Sequence, residues 1–288
     1  MITLQSRLDS SVNFVTPSDG GYLEARYVRR APDYFCCYLS SQNGCNRGCT
    51  FCHLTTSGQT SFVHASELQY LAQAARVLNH YKGQPPARYV NFNFMARGEP
   101  LANPTFAHPG ASSFLERLGT EALALKLLPR FNVSTIMPRT LRVPLEEVFD
   151  LITPTIYYSA YSPYEAIRKS LMPGAMPFHE ALKMLKAYQR HSLKVVKIHY
   201  ALIEGVNDSE TATMHMLEDL ADEGLHVEFN LVQYNPASDA QGRASTPLAE
   251  ARVLDILRRE LGPERAKVVQ RVGYDVQASC GMFVGPPG

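Results

Sequence analysis

The sequence lacks the features that would place the protein in a membrane, outside the cell or across a large nucleic-acid surface. Its 288 residues contain no apolar run approaching about twenty residues and no secretory leader, which argues against a membrane span and against export. Basic and acidic side chains nearly balance, at 28 and 27, for a formal net charge of +1. No overall positive field therefore attracts nucleic acid from a distance. We expect a cytoplasmic protein without a membrane partner.

Cysteine is scarce and irregularly spaced, with six residues in the whole chain. This pattern is not the framework of paired cysteines that small secreted domains use, so we expect reduced thiols that are available for chemistry. Internal repeats and low-complexity segments are also missing. With 45% hydrophobic residues the chain is long enough to bury a full core, and we interpret it as one large domain.

Positive charge is concentrated locally in two places. The first group lies near the amino end and comprises Arg26, Arg29 and Arg30. The second group lies near the carboxyl end and comprises Arg258, Arg259, Arg265, Lys267 and Arg271. Each group could bind a nucleic acid locally, although such groups are more often ordinary solvated faces.

Three of the six cysteines, Cys45, Cys49 and Cys52, lie within eight residues of one another. Three thiolates at this spacing suit a [4Fe–4S] cluster that keeps one iron open, whereas a closed structural zinc site needs four ligands. The alternatives are a zinc knuckle that borrows a distant ligand such as His53, or three unrelated buried thiols. The pattern therefore predicts an iron–sulfur site with one open coordination position.

Strand-like and helical segments alternate along most of the chain. The strand-like runs are 22–28, 35–40, 89–95, 131–137, 155–161, 195–203 and 227–234. The amphipathic stretches with a helical period are 66–81, 113–127, 144–151, 178–190, 209–223 and 248–261. This alternation predicts an α/β fold built as a partial (β/α)6 TIM-like barrel, with functional loops at the carboxyl ends of the strands. We expect an amino-terminal extension with a short strand over residues 1–34 and the barrel over residues 35–288.

These features resemble the radical S-adenosylmethionine (SAM) enzymes, whose hallmark is a three-cysteine loop after the first strand of a partial barrel. Within that superfamily the chain is similar to the RlmN/Cfr adenosine methyltransferases. The matching runs, in the order of that family, are Ser40 to Cys45, Gly98 to Leu101, Val133 to Thr135, Gly205 to Asp208, Asn230 to Pro236 and Ala278 to Gly281. The resemblance implies a [4Fe–4S] cluster on the three clustered cysteines, SAM as the second cofactor, and an external electron donor such as flavodoxin or ferredoxin.

By the same resemblance, SAM binds at the carboxyl ends of several strands. Gly98 and Glu99 follow the second barrel strand, where the carboxylate of Glu99 would receive the amino group of SAM. Contacts to the ribose, carboxylate and adenine of SAM would come from Ser134, Ser159, Ala160, Tyr161 and Asn235. Taken singly, these residues could be capping or turn residues, and the Gly-Glu-Pro run could be no more than a tight turn.

Cys280 is the second chemical centre that the resemblance implies. In RlmN/Cfr enzymes the matching cysteine takes a methyl group from one SAM, and a 5′-deoxyadenosyl radical from a second SAM then removes hydrogen from the S-methyl group. A carbon radical held on sulfur can add to an adenine ring carbon, which is a poor nucleophile for ordinary methyl transfer. A base then removes the ring proton, and a second thiol releases the adduct as a disulfide. We therefore predict methylation of an sp² nucleobase carbon, with C2 or C8 of adenine in RNA as the leading candidates.

The base and the second thiol lie before the cluster loop. The family's base matches Glu24, for which a plain edge-strand glutamate is the alternative. Counting forward from Glu24 places the second thiol at Cys37, whereas counting back from Cys45 places it at Tyr38, so one residue is inserted between them. Cys36 and Cys37 point to opposite faces of a regular strand, and a bulge could turn either one inward. We favour Cys37, and the thiol that faces away would be a buried structural cysteine.

Substrate and activity leave several alternatives open. Only 23 residues precede Glu24 and eight follow Cys280, whereas the ribosomal RNA enzymes of the family carry a longer amino-terminal domain and a basic tail. We therefore expect a smaller RNA, a tRNA-like fold or a nucleotide rather than a large ribosomal particle. One rival hypothesis is a non-methylating radical SAM enzyme that abstracts hydrogen from a peptide or small molecule. Another is a binding protein that keeps the cluster as a structural relic.

Overall fold

The computed structural model describes residues 1–285 and contains one continuous ten-stranded sheet whose strands are neighbours in chain order. The strands are β1 (Ile2–Gln5), β2 (Val12–Ser18), β3 (Gly21–Ala31), β4 (Tyr34–Tyr38), β5 (Tyr89–Phe94), β6 (Leu128–Thr135), β7 (Thr155–Tyr158), β8 (Val196–Ala201), β9 (Val227–Val232) and β10 (Ala266–Val269). Strands β1 to β4 pair antiparallel, and β4 to β10 pair parallel. The expected α/β fold with a partial barrel is confirmed.

Helices follow most of the parallel strands, as the helical periods predict. They are α1 (His53–Thr56), α2 (Glu67–Tyr81), α3 (Ser112–Leu123), α4 (Leu145–Val148), α5 (Glu165–Leu171), α6 (Phe178–Ser192), α7 (Glu210–Asp222) and α8 (Pro247–Leu261). Three of the long ones begin where the sequence supplies a cap: Ser66 and Gln69 form a reciprocal capping box at α2, the Ser209 side chain caps α7, and the Thr246 side chain caps α8. Within residues 1–285, none of these helices has the length and hydropathy needed to cross a bilayer.

Side chains alternate between two environments along the barrel strands, as the two-residue period of a strand requires. On β5, Phe92 and Phe94 belong to the hydrophobic core beneath the helices, whereas Asn91 and Asn93 line a cavity inside the barrel. The same division holds on β9, where Asn230 faces the cavity. The outer face of the sheet is therefore apolar, and much of the inner face is polar.

The amino-terminal residues form three strands rather than the single short one that the sequence predicts. Strands β1, β2 and β3 make an antiparallel meander that continues into β4. The sequence signal misses β1 because this edge strand is largely exposed, so its pairing with β2 rather than an apolar pattern defines it. The β3–β4 register shifts between Arg29 and Ala31. The inserted residue inferred from the sequence is therefore accommodated by an irregularity before Cys36.

The segment after β10 folds back across the amino-terminal meander. Asp275 accepts hydrogen bonds from the hydroxyl of Ser6 at 2.7 Å and from the backbone N–H of Arg7 at 2.8 Å. The Asn13 amide donates to the carbonyl of Val276 at 3.1 Å. These contacts between the two ends of the chain bring Cys280 to the carboxyl-terminal side of the barrel.

Candidate active site

The three clustered cysteines lie in the loop that follows β4, at the carboxyl ends of the parallel strands. The loop is tightly packed: the backbone N–H of Cys45 donates to the carbonyl of Gln59 at 3.0 Å. A Cβ on Gly44 would lie 2.1 Å from the Ser61 carbonyl oxygen, so only glycine fits there. Packing of this kind holds the loop against the rest of the barrel mouth.

The three thiols are electrostatic neighbours. Burial raises the pKa of Cys49 well above its usual range, and the nearby Cys52 and Cys45 raise it further. Within residues 1–285, no three His, Cys, Asp or Glu side chains converge as ligands of a single ion. His53 is also engaged, since its Nε2 lies 3.0 Å from the carbonyl oxygen of Asn235. The three thiols are thus close enough to raise one another's pKa but do not converge on a single point, and the open-sided iron–sulfur cluster stays a prediction.

A cavity of about 150 Å³ opens beside the cluster loop and contains most of the expected SAM residues. Gly98, Glu99, Ser134, Ser159 and Tyr161 line it together with Cys52. Their common position follows from the fold, because each lies at or just beyond the carboxyl end of a parallel strand. The cavity therefore offers hydroxyls, a carboxylate and an aromatic ring around one space.

Glu99 is the acidic group of this cavity, and its position is fixed by the backbone. Its carboxylate accepts hydrogen bonds from the N–H groups of Leu101 at 3.1 Å and Ile136 at 3.0 Å. Burial raises the pKa of Glu99 to about 7, although these hydrogen bonds oppose the shift. Gly98 has φ +89°, and a Cβ there would come within 2.7 Å of Gln42. A buried carboxylate of this kind suits a cationic ligand group.

Two of the expected SAM residues do not line this cavity. Ala160 is buried in the core, where its carbonyl accepts from Arg168. Asn235 lines the neighbouring cavity instead, and its amide donates to the Cys280 carbonyl at 3.0 Å. Asn235 therefore holds the backbone of Cys280.

Cys280 lies on the wall that this cavity shares with a second, deeper cavity of about 180 Å³. Cys280 is exposed as a residue, but burial around its sulfur raises the pKa of the thiol to about 11, against the effect of Arg26 and Arg30. The segment rests on the cluster loop, because the backbone N–H of His53 donates to the Gly281 carbonyl at 3.0 Å. A thiol from the carboxyl end of the chain thus lies near Cys52 of the loop after β4, with which it lines one cavity.

The structure places Cys36, rather than Cys37, in the cavity that contains Cys280. Cys36 lines this cavity together with Tyr38, whereas Cys37 is fully buried in the apolar core. Burial raises the pKa of both thiols, and most strongly that of Cys37. All six cysteines are free, so the expected disulfide is not present. Strand alternation turns the favoured Cys37 away from the barrel interior, because Cys36 pairs with Val28 and Asn91, which line the same cavity.

Glu24 is completely buried and saturated with hydrogen-bond donors. Its Oε2 accepts from Asn13 at 2.9 Å and Arg26 at 2.8 Å, and its Oε1 accepts from Arg97 at 2.7 Å and from the backbone N–H of Val284 at 3.0 Å. Burial acts to raise the pKa of this carboxyl, but the two guanidinium groups outweigh it and the net pKa is lowered. Glu24 lines neither cavity. We call Glu24, Arg26 and Arg97 the buried ion cluster.

Sequence reasoning missed two residues that line both cavities. Arg26 was considered only as part of a surface patch, and His199 was not singled out. Burial lowers the pKa of His199 to about 4, so its imidazole is neutral near pH 7. Strand alternation could have found His199, since it is flanked on β8 by the core residues Ile198 and Tyr200.

Comparisons with known proteins agree with this architecture. A profile described as the radical SAM superfamily matches residues 39–217. Over 282 residues the chain is 32% identical to a Frankia alni protein named probable dual-specificity RNA methyltransferase RlmN, covering 94% of this chain and 63% of that protein. It is 31% identical over 281 residues to a Lachnoclostridium phytofermentans protein named ribosomal RNA large subunit methyltransferase Cfr, covering 93% of this chain and 75% of that protein.

A solved structure has the same fold. The crystal structure of a radical SAM methyltransferase from Sphaerobacter thermophilus matches with a TM-score of 0.77 at 24% sequence identity. The match covers 98% of this chain and 80% of that chain. The chain spans 63% of the length of each of two Frankia relatives that it matches.

Proposed function

Because the chain belongs to the radical SAM superfamily and, within it, to the RlmN/Cfr family, we propose that it methylates an sp² carbon of a nucleobase, most simply C2 or C8 of adenine in RNA. The observation that carries this proposal is the position of Cys280. Its thiol is on the wall shared by the cavity beside the cluster loop and the deeper barrel cavity. A methyl carrier needs access to both its donor and its acceptor, and a position between two cavities supports this role.

The first part of the proposal concerns the cofactors. Cys45, Cys49 and Cys52 would hold a [4Fe–4S] cluster, and the cavity beside them would hold SAM with Glu99 facing its amino group. When bound, the cluster would supply an electron, and SAM would supply the methyl group and the hydrogen-abstracting radical. Ser134, Ser159 and Tyr161 support this assignment because they line the same cavity. Ala160 and Asn235 would contribute through backbone position instead.

The protein's own contribution is to hold the Cys280 sulfur in place. Asn235 and His53 fix the backbone on either side of this thiol. Ser279 Oγ donates to the carbonyl of Val272 at 2.6 Å, which closes the turn that carries Cys280. Rotation of the side chain about a fixed backbone would let the sulfur face either cavity. Fixed geometry of this kind lowers the entropic cost of bringing the carrier to two partners.

For the second thiol we propose Cys36 in place of Cys37. A Cys36 thiolate would attack the sulfur of the methylene adduct, forming an S–S bond while the S–C bond breaks with its electron pair on carbon, which then takes a proton. The shared cavity supports Cys36. Both oxygens of the Glu24 carboxylate are occupied by four donors in this structure. Glu24 could therefore act as the proposed base only after some of these donors move away.

The test is anaerobic turnover of the iron-loaded protein with methyl-deuterated SAM over several RNAs and nucleotides. Mass analysis should find the label on Cys280 and on an adenine of the product. A Cys280→Ala variant should keep the iron and the cleavage of SAM but transfer no label. Cys37→Ala is the matched control, since it removes a thiol that lies outside both cavities. Absence of label from Cys280 and from every nucleoside would favour hydrogen abstraction without methyl transfer.

A further inference from the structure

The interior of the barrel contains a polar cavity that the cofactors do not require. It reaches from Cys280, at the carboxyl ends of the strands, down to Tyr34 at the amino end of β4. The inward positions of a filled barrel carry layers of bulky branched side chains. In this barrel, four of these positions instead carry the asparagines Asn91, Asn93, Asn132 and Asn230. We call this space the lumen.

The charge of the lumen is of one sign. Four basic side chains line it, Arg26, Arg30, Lys267 and Arg271, and no acidic residue does. Within residues 1–285, only Arg26 of these four is paired with a carboxylate. The two basic groups that the sequence shows at opposite ends of the chain thus both contribute to one cavity. A positive, carboxylate-free wall favours an anionic ligand, and phosphate is the common anion that arginine and lysine bind.

The lumen also contains buried polar atoms that lack a protein partner. Asn230 is only 4% exposed, and its Oδ1 accepts no hydrogen bond. The Oδ1 of Asn91 is in the same state. Buried amide oxygens are almost always paired, so these two indicate a ligand or ordered water. In the strand register, Asn230 lies between His199 and Lys267. An amide, a neutral imidazole and a cation therefore form one row, which suits the polar edge of a heterocycle with a charge nearby.

Size limits the ligand further. A cavity of about 150 Å³ can hold one benzene ring, so a lumen of about 180 Å³ has room for one nucleobase. Tyr34, Tyr38 and Tyr157 add aromatic walls, and enzymes that modify nucleobases commonly hold the base by stacking and by hydrogen bonds to its edge.

We propose that the lumen binds one phosphate-bearing nucleobase, with the asparagines and His199 at its edge and Lys267 and Arg271 at its phosphate. This rests on the proposed function in one respect, since the bound base would be the methyl acceptor that Cys280 faces. Two sources share this chemistry. One is a free nucleotide, and the other is a single nucleotide turned out of an RNA strand.

The test is a calorimetric titration of the anaerobic iron-loaded protein with AMP, adenosine, inorganic phosphate and an adenine-containing RNA hairpin. Asn230→Leu should weaken binding of AMP or of the hairpin about tenfold or more, because it removes the buried acceptor. Lys267→Gln should weaken binding of AMP about tenfold and leave that of adenosine unchanged. Arg265→Gln is the matched control, because Arg265 is a partly exposed cation two residues before Lys267 and does not line the lumen.

The outcomes separate the possibilities. If AMP binds and responds to Asn230→Leu, the source is a free nucleotide; if only the hairpin binds and responds, the source is RNA. If neither probe responds to Asn230→Leu or Lys267→Gln, or if Arg265→Gln has the same effect as Lys267→Gln, the lumen holds only water and the inference is wrong. Binding is read without turnover, so an unmethylated Cys280 in the wild-type protein would refute the proposed function while leaving a positive titration intact.

Discussion

The buried ion cluster allows a sharp prediction about Glu24. Replacing Glu24 with Gln removes the only carboxylate that is paired with Arg26 and Arg97 within residues 1–285. The amide also presents an N–H group where the carboxylate accepted two donors on each oxygen. Breaking a buried ion pair by removing one partner costs about 3–5 kcal/mol, because it leaves buried charge without compensation. We expect a loss of stability of this size.

The assay is thermal unfolding of the iron-loaded protein under anaerobic conditions. For a domain of this length, 1 kcal/mol corresponds to about 2 °C in Tm, so Glu24→Gln should lower Tm by about 6–10 °C. The matched control is Glu67→Gln, which removes a carboxylate from an exposed ion pair with Arg117 and should cost about 0–1 kcal/mol. Equal Tm values for the two variants would refute this stabilising role of the buried ion cluster. Unchanged stability with loss of product release would favour the base role instead.

The pH dependence of this effect has a definite sign. The pKa of Glu24 is lowered in the folded protein, so its contribution to stability is fully present above the unfolded-state pKa of about 4.3 and is lost as the pH falls through the lowered folded value. The Tm difference between wild type and Glu24→Gln should therefore be constant near neutral pH and decrease below about pH 4. A difference that grows on acidification would contradict the assignment of a lowered pKa.

Three further predictions follow from the site and its scaffold. Cys36→Ser should still accept the methyl group on Cys280 but trap the covalent substrate adduct, whereas Cys37→Ser should still release product. Mass analysis of the protein distinguishes the two results, and the reverse pattern would make Cys37 the second thiol. Glu99→Gln should weaken SAM binding about tenfold while iron content stays unchanged, and equal SAM affinity by equilibrium dialysis would exclude this contact. Ser66→Ala should cost about 1 kcal/mol of unfolding free energy through loss of the α2 capping box, with a fall in Tm of about 2 °C and no change in SAM binding.

The buried ion cluster also changes how the two ends of the chain are understood. Glu24 and Arg26 come from β3, and Arg97 comes from the loop after β5. Arg26 donates to the Met282 carbonyl at 2.9 Å, and Glu24 accepts from Val284. The segment that carries Cys280 is thus fastened to the amino-terminal meander by charged hydrogen bonds, which are stronger than neutral ones. The same charged hydrogen bonds therefore contribute to the stability of the fold and to the placement of Cys280.

The amino-acid sequence by itself determined the elements that have a local cause. Apolar alternation marked the barrel strands, Ser66 and Ser209 marked helix starts, and the cysteine spacing marked the cluster loop, because each depends only on residues close in the chain. Strands β1 and β2 were not predicted, since their pairing with neighbouring strands defines them.

Only the tertiary structure decided which side chains share a cavity. Pairing of β4 with β3 and β5 sets Cys36 beside Val28 and Asn91, which line the same cavity, so Cys36 and not Cys37 faces the barrel interior. The face of a residue that follows an inserted one cannot be assigned from the sequence. Likewise, Glu24 accepts hydrogen bonds from Arg97 and from Val284, which is 260 residues away, and the four cations of the lumen come from both ends of the chain. Burial and charge at these sites arise from long-range packing, which leaves no periodic signal in the chain.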